Sequence, residues 1–370
     1  MNILIAPNSM KGSLNAFDFA DTVEKALLYS DLECTTRKVP VADGGDYTGE
    51  ILSRIIGAGQ IDLNVTGPLG SPVNAIYWIS GKLAIVEMAE ASGMKQVITE
   101  KLNPLRASSI GTGELILDAI NRGCTEIWLT VGGSATVDGG MGMMEALGFK
   151  FFDNAGNTLK GNGENLEKTV RLQKANSPES VIFKIICDVD NPLLGKNGAA
   201  TVFGPQKGAT AAMINKLENG LKNWSGILSK ESGEKLSDIK GTGAAGGIAL
   251  PLLAYYDSVM VEGASFILNK LSFNEHVQWA DIVITGEGKI DSQTSNLKAP
   301  YVVAQIAHKY RKPVYALAGI ADETNEKLFD GIYPLVNTSV TKEEAMENTR
   351  ELLFQKVLEL VKDLNKNNEK

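Results

Sequence analysis

Several residue types are scarce in this 370-residue chain, and each scarcity removes a class of chemistry. Histidine occurs twice, at His276 and His308. Both look incidental: His308 has nothing near it in the sequence to make it a ligand, and no Ser-His-Asp or Cys-His arrangement can be argued. The three cysteines, Cys34, Cys124 and Cys187, are odd in number and widely spaced. That pattern excludes a disulfide framework or a zinc site and fits a reducing compartment. No G-x-x-x-x-G-K-[ST] phosphate loop occurs. No apolar run is long enough to span a membrane, and Asn2 to Pro7 read as a strand rather than a leader. A soluble, cytoplasmic protein is the expectation. A formal net charge of −8 argues against nucleic acid or an anionic membrane as the main partner. Small-molecule substrates fit better, and a homodimer is left open.

What is present centres on Ile282 to Pro300. Ile282-Val283-Ile284-Thr285 reads as a short buried strand. Gly286-Glu287-Gly288 should then turn the backbone and let a ligand approach. Lys289, Asp291, Gln293, Thr294, Ser295 and Lys298 gather charge and hydrogen-bonding groups, and Pro300 suits the first turn of a helix. Strand, polar glycine loop and helix together make the place where an open α/β sheet binds its ligand.

The chain opens in the same way. Ile3 to Ala6 is a strand, followed by a loop with Asn8, Ser9, Lys11 and Ser13, the last read as a helix cap. Asp43 and Asp46 flank two glycines before a helix, where they favour the macrodipole or bind a cation. From Gln60 to Val97 the texture changes to alternating runs with Gly-Pro turns, a meander of antiparallel strands. Val131 ends a buried strand and leads into Gly132-Gly133-Ser134-Ala135-Thr136-Val137-Asp138, a candidate oxyanion or phosphate cradle. Asp188 and Asp190 follow another strand on alternate positions, so they can share one face. Gly204 to Gly208 is a further glycine loop. Gly241 to Gly247 matches G-x-G-x-x-G, but no apolar strand precedes it, which argues against a dinucleotide fold. We therefore expect an α/β protein with a discontinuous flavodoxin-like domain at residues 1–60 and 258–370. A mixed α/β domain at residues 61–257 is inserted into it, with the site in the cleft.

Eight segments, taken in order, resemble the bacterial glycerate kinase family. They are IAPNSMKGSL (Ile5 to Leu14), VADGGD (Val41 to Asp46), PLRASSIGTGELI (Pro104 to Ile116), VGGSATVDGGMG (Val131 to Gly142), CDVDNPLLG (Cys187 to Gly195), FGPQKGA (Phe203 to Ala209), GAAGG (Gly243 to Gly247) and TGEGKIDSQTSNLKAP (Thr285 to Pro300). The resemblance implies a flavodoxin-like domain with a restriction-endonuclease-like insertion. It also implies transfer of the γ-phosphoryl group of ATP to D-glycerate with magnesium, giving 2-phosphoglycerate or 3-phosphoglycerate. Under it, Asp190, Asp188, Lys11 and Lys298 are the catalytic candidates. Arg106, Ser108, Ser109, Asp43 and Ser9 are the candidates for glycerate, the planar Arg106 fork suiting its carboxylate. Gly132, Gly133, Ser134, Gly286, Glu287 and Gly288 are the candidates for the nucleotide, and Asp188 and Asp291 for the metal. The chain departs from the family pattern at Asn8, Asp46, Val137, Ser292 and Leu297, where aspartate, glutamate, asparagine, glycine and glycine are usual. Those changes keep open an alternative, a catalytically weakened relative that binds metabolites as a regulator. An electron carrier of flavodoxin-like fold is a third reading on fold alone.

Overall fold

The computed structural model describes residues 1–45, 47–174, 181–291, 298–322 and 328–368. Asp46, Ser292 and Leu297 lie outside the described residues, and so do Gln293, Thr294 and Ser295. The chain divides into two compact units, Met1–Asp43 with Glu262–Lys370, and Gly44–Val261.

The first unit opens with β1 (Asn2–Pro7), α1 (Ala16–Tyr29) and β2 (Thr35–Lys38). The chain then leaves it to build the second unit. That unit runs through α2 (Thr48–Ile56), β3 (Gly59–Thr66), β4 (Pro72–Ser80), β5 (Leu83–Glu87), α3 (Met88–Ser92), α4 (Ile110–Asn121), β6 (Glu126–Thr130) and α5 (Met141–Ala146). It continues with β7 (Lys150–Phe152), β8 (Thr158–Leu159), β9 (Arg171–Gln173), β10 (Ile182–Cys187), α6 (Ala199–Phe203), α7 (Ala211–Ser232), α8 (Ala249–Tyr255) and β11 (Asp257–Glu262). The return to the first unit adds α9 (Gly263–Lys270), α10 (Phe273–Trp279), β12 (Ile282–Ile290), α11 (Ala299–Lys309), β13 (Val314–Ala321), β14 (Gly331–Pro334), α12 (Lys342–Glu347) and α13 (Thr349–Asn368).

The first unit is a five-stranded parallel sheet ordered β14-β13-β12-β1-β2. Counted within this unit, that is the 2-1-3-4-5 order of a flavodoxin-like sheet. Alternation along β1 explains why helices cover both faces. Ile3 and Ile5 pack with α1 and α13, whereas Leu4 and Ala6 pack with α11 and its neighbours. The strand order reverses between β1 and β12, and there Pro7 is level with Gly286. Asn15, not Ser13, caps α1: its side chain accepts from the Asp18 N–H at 2.8 Å. Ser13 Oγ donates instead to Met10 C=O within the preceding turn.

The second unit holds a six-stranded mixed sheet ordered β11-β10-β6-β5-β4-β3 and a small sheet ordered β8-β7-β9. β3, β4 and β5 form the antiparallel meander. β5, β6 and β10 run parallel, so their carboxyl ends share one edge. The first division of the chain lies ahead of the texture change at Gln60. α2 belongs to the second unit because Gly49 lets it lie directly on Trp78 of β4 and Glu87 of β5, where a Cβ would come within 2.4 Å of the indole. β11 keeps residues 257–261 with that unit as well, since it extends the sheet beyond β10.

Candidate functional site

In the first unit the candidate residues gather where the strand order reverses. β12 does not end at Thr285 as its β-branched run suggests. It continues through Gly286-Glu287-Gly288 to Ile290, paired with β13 as far as Ala321. The two glycines therefore do not turn the chain. A Cβ on Gly286 would come within 2.1 Å of Leu317 C=O and 2.7 Å of Phe19, so glycine is required for close packing. Gly286 C=O accepts from the Asn8 N–H at 2.8 Å. Packing of the sheet thus requires glycine at position 286. Past the end of β1, Gly288 lies against the backbone of Met10 and Lys11.

The loop after β1 is held by its own hydrogen bonds. Asn8 Nδ2 donates to Asp43 Oδ2 at 3.0 Å, and Asn8 Oδ1 accepts from the Ser9 N–H at 2.7 Å. Both side chains of the pair are buried. An amide at position 8 keeps Asp43 beside a donor, where a second carboxylate would demand a shared proton or a cation. Lys11 is exposed on the turn that follows, which Gly12 closes in the left-handed region (φ 82°). Lys298 occupies the N-cap position of α11, with Pro300 in the first turn. Its Nζ stands 4.0 Å from the carboxylate of Glu287, a residue only 6% exposed. Glu287 is thereby a partner for the lysine. Asp291 is paired with Lys289 at 2.6 Å, and that bond raises the Lys289 pKa.

The second unit gathers its candidates at the carboxyl ends of β6 and β10. The loop after β6 touches the Gly44-Gly45 backbone: Gly132 N–H donates to Gly44 C=O at 3.2 Å. A Cβ on Gly132 would come within 2.5 Å of Gly45 Cα. Beneath this loop lies Lys207, only 2% exposed, whose Nζ donates to Ser134 Oγ and Thr136 C=O, each at 2.7 Å. Burial pulls the Lys207 pKa down to about 7, with the nearby Asp138 acting in the opposite direction. Burial likewise pushes the Asp138 carboxyl up, against the lowering effect of its hydrogen bonds. Those bonds come from Ser109 N–H and Oγ at 2.7 Å, Gly140 N–H at 3.1 Å and Gly142 N–H at 3.2 Å. Asp138 therefore ties down the starts of α4 and α5.

This network corrects one expectation. Ser109 is fully buried; its hydroxyl donates to Asp138 and accepts from the Met143 N–H at 2.9 Å. Both bonding directions are used, so Ser109 is an anchor and not a contact for substrate. Ser108 is half-buried; its Oγ donates to Gly161 C=O at 2.5 Å and accepts from the Ile110 N–H at 3.3 Å. Arg106 is exposed in the same loop, and among the described residues its guanidinium has no hydrogen-bond or ion-pair partner. At the end of β10, Asp188 is half-buried and Asp190 exposed. Between strand and loop, Cys187 is pushed up to about 12 by burial, and both aspartates add to that shift.

Lys207 and Glu87 were missed from the sequence. Glu87 is 3% exposed at the end of β5 and accepts from the Tyr47 and Gly49 N–H groups at 3.3 and 3.1 Å, fixing the start of α2. Local spacing carries no signal for either, because both roles depend on distant backbone.

Among the described residues no group of three or more His, Cys, Asp or Glu side chains could hold a metal by itself, and no helix is long and apolar enough to cross a membrane. A magnesium ion bound here would therefore keep most of its ligands as phosphate and water. Asp188 fits that limited part; the Lys289 ion pair makes Asp291 the poorer donor.

The model of the glycerate kinase family matches residues 3–365. A glycerate kinase of Halalkalibacterium halodurans is 40% identical over 362 residues, covering 95% of each chain. The glycerate 2-kinase of Escherichia coli K12 is 40% identical over 356 residues, 93% of each. The crystal structure of a candidate glycerate kinase 2 from Salmonella typhimurium LT2 superposes with a TM-score of 0.82 at 37% identity, over the full length of both chains.

Proposed function

The chain belongs to the glycerate kinase family, and we infer that it is an ATP-dependent kinase that phosphorylates D-glycerate. The Escherichia coli relative is named for the 2-position, and 2-phosphoglycerate is the product we propose here.

Phosphoryl transfer asks the protein for positioning and for charge, since little covalent chemistry falls to its side chains. The observation that best supports the reading is Lys298 at the head of α11, beside Glu287 and next to the point where the sheet order reverses. The first amides of a helix are unpaired, and a cation beside them makes an anion site. Lys298 and Lys11 are proposed to neutralise charge on the transferring group. Asp190 is proposed to accept the proton of the attacking hydroxyl. Arg106 would grip the carboxylate of glycerate, while Ser9 and the oriented Asp43 hold its hydroxyls. The amides of Gly132 to Ser134 and of Gly288 are proposed for the nucleotide phosphates. Asp188 would hold magnesium, which when bound neutralises phosphate charge.

A coupled assay for ADP release from ATP with D-glycerate tests the reading, with the product resolved as 2- or 3-phosphoglycerate. Glycerate-dependent ADP release with 2-phosphoglycerate accumulating is expected. ATP binding without turnover would favour the regulator instead. Action in the cytoplasm is part of the same proposal.

A further inference from the structure

The buried Lys207 has no task in the scheme above. It ends the Pro205–Lys207 turn, which Gly208 closes in a left-handed conformation (φ 86°), so the side chain is delivered from a constrained backbone. A lysine ammonium has hydrogens to donate and no lone pair to accept with. In the protonated form, which an anionic ligand nearby favours, the serine oxygen is therefore the acceptor of their 2.7 Å bond. Ser134 is left with one hydrogen of its own to give. Among the described residues no group accepts it, although the residue is only 4% exposed. The neighbouring Thr136 Oγ1, wholly buried, has no hydrogen-bond partner among the described residues either. Buried hydroxyl donors without acceptors are costly to keep, and they cluster here around one cation. The complementary ligand atom is one that only accepts and carries negative charge.

We propose that Lys207 is a positioning residue which sets Ser134 as a hydrogen-bond donor to an anionic oxygen of the substrate pair. That oxygen belongs to a nucleotide phosphate or to the carboxylate of glycerate; the shared chemistry is an anionic acceptor at the end of β6. Lys207 acts through the serine hydroxyl and does not itself meet the ligand. Only the identity of the anion rests on the kinase reading.

The test is a double-mutant cycle of wild type, Ser134→Ala, Lys207→Met and the double variant, with calorimetric binding of ADP and of D-glycerate measured separately. Ser134→Ala should weaken one of the two ligands about tenfold or more, the scale of one hydrogen bond to a charged group. Loss for ADP assigns the phosphate, and loss for D-glycerate assigns the carboxylate. Lys207→Met should weaken the same ligand, and the double variant should be no weaker than the poorer single one, because both remove one interaction. Additive losses would make Lys207 a general support of the loop and overturn the proposal. So would unchanged binding of both ligands to Ser134→Ala, whatever Lys207→Met does. Should Lys207→Met not fold, Lys207→Gln, which keeps a donor without the charge, takes its place in the cycle. A wild-type protein that binds ADP yet makes no phosphoglycerate would sink the kinase reading and leave the cycle readable.

Discussion

Each unit carries glycines at a strand end and a lysine close by, but the two lysines stand in opposite relations to the backbone. In the parallel unit, Lys298 heads a helix with 30% of its side chain exposed, 4.0 Å from a buried glutamate. In the mixed unit, Lys207 is sealed beneath the loop and bonded to it twice. The half-buried Lys298 keeps part of its hydration. The sealed one loses its hydration, which pulls its pKa down to about 7, and it affects a ligand only through the loop it braces. The sheets differ in the same sense. Five parallel strands give a reversal point with loops on either side. In the mixed sheet the parallel trio β5, β6 and β10 gathers the candidate loops, and the antiparallel flank β3 and β4 contributes none of these residues.

Removing the contact charge should have the largest effect. Lys298→Met is expected to lower kcat about 10²- to 10³-fold, more than it weakens ATP binding, because charge stabilisation matters most in the transition state. Turnover at the wild-type rate with both substrates saturating would remove Lys298 from the chemistry and erase the contrast. Next comes Asp190→Asn, an isosteric change at an exposed position of the mixed unit. A fall in kcat of about 10²-fold with unchanged melting is expected if it is the base. An undiminished rate in the Asn variant would pass that task to another carboxylate. Arg106→Lys keeps the charge and loses the fork, so KM for glycerate should rise about tenfold while KM for ATP holds. A rise confined to ATP would move Arg106 to the nucleotide.

The elements that position the site were largely legible, and the physical reason is pattern length. Short runs of four or five mostly apolar residues, such as Phe183 to Cys187 and Ile282 to Thr285, announce buried strands. The strands β7, β8 and β9, two or three residues each, fall below any readable period and were not anticipated. At Gly286 one sequence letter serves two needs: a turn, or a close approach such as the one Leu317 imposes. The lysines divide in the same way. Lys298 stands before a proline at a helix start, a local signal. The burial of Lys207 is imposed by Ser134 and Thr136, some seventy positions away, and no window on the sequence contains both. The departures at Asp46, Ser292 and Leu297 lie outside the described residues. Asn8 became interpretable once Asp43 was placed beside it.

The smallest expected effect is a slope, and it tests whether Lys207 is as sealed as the contrast requires. The Lys207 pKa is held near 7 in the folded protein, against an ordinary value of 10.5. Between those two values the unfolded chain binds the proton and the folded chain does not. Stability then rises with pH through this window, and below pH 7 the cost of the buried charge is fully present. One proton gives at most about 1.4 kcal/mol per pH unit, a few degrees of melting temperature. Lys207→Met removes that proton, so the stability of wild type minus variant should grow from pH 7 to pH 9. Asp138, whose carboxyl is pushed up by burial, contributes with the opposite sign. Parallel melting curves for the two proteins across this range would mean that Lys207 keeps its ordinary proton, and the sealed lysine would then be no different from the half-buried one.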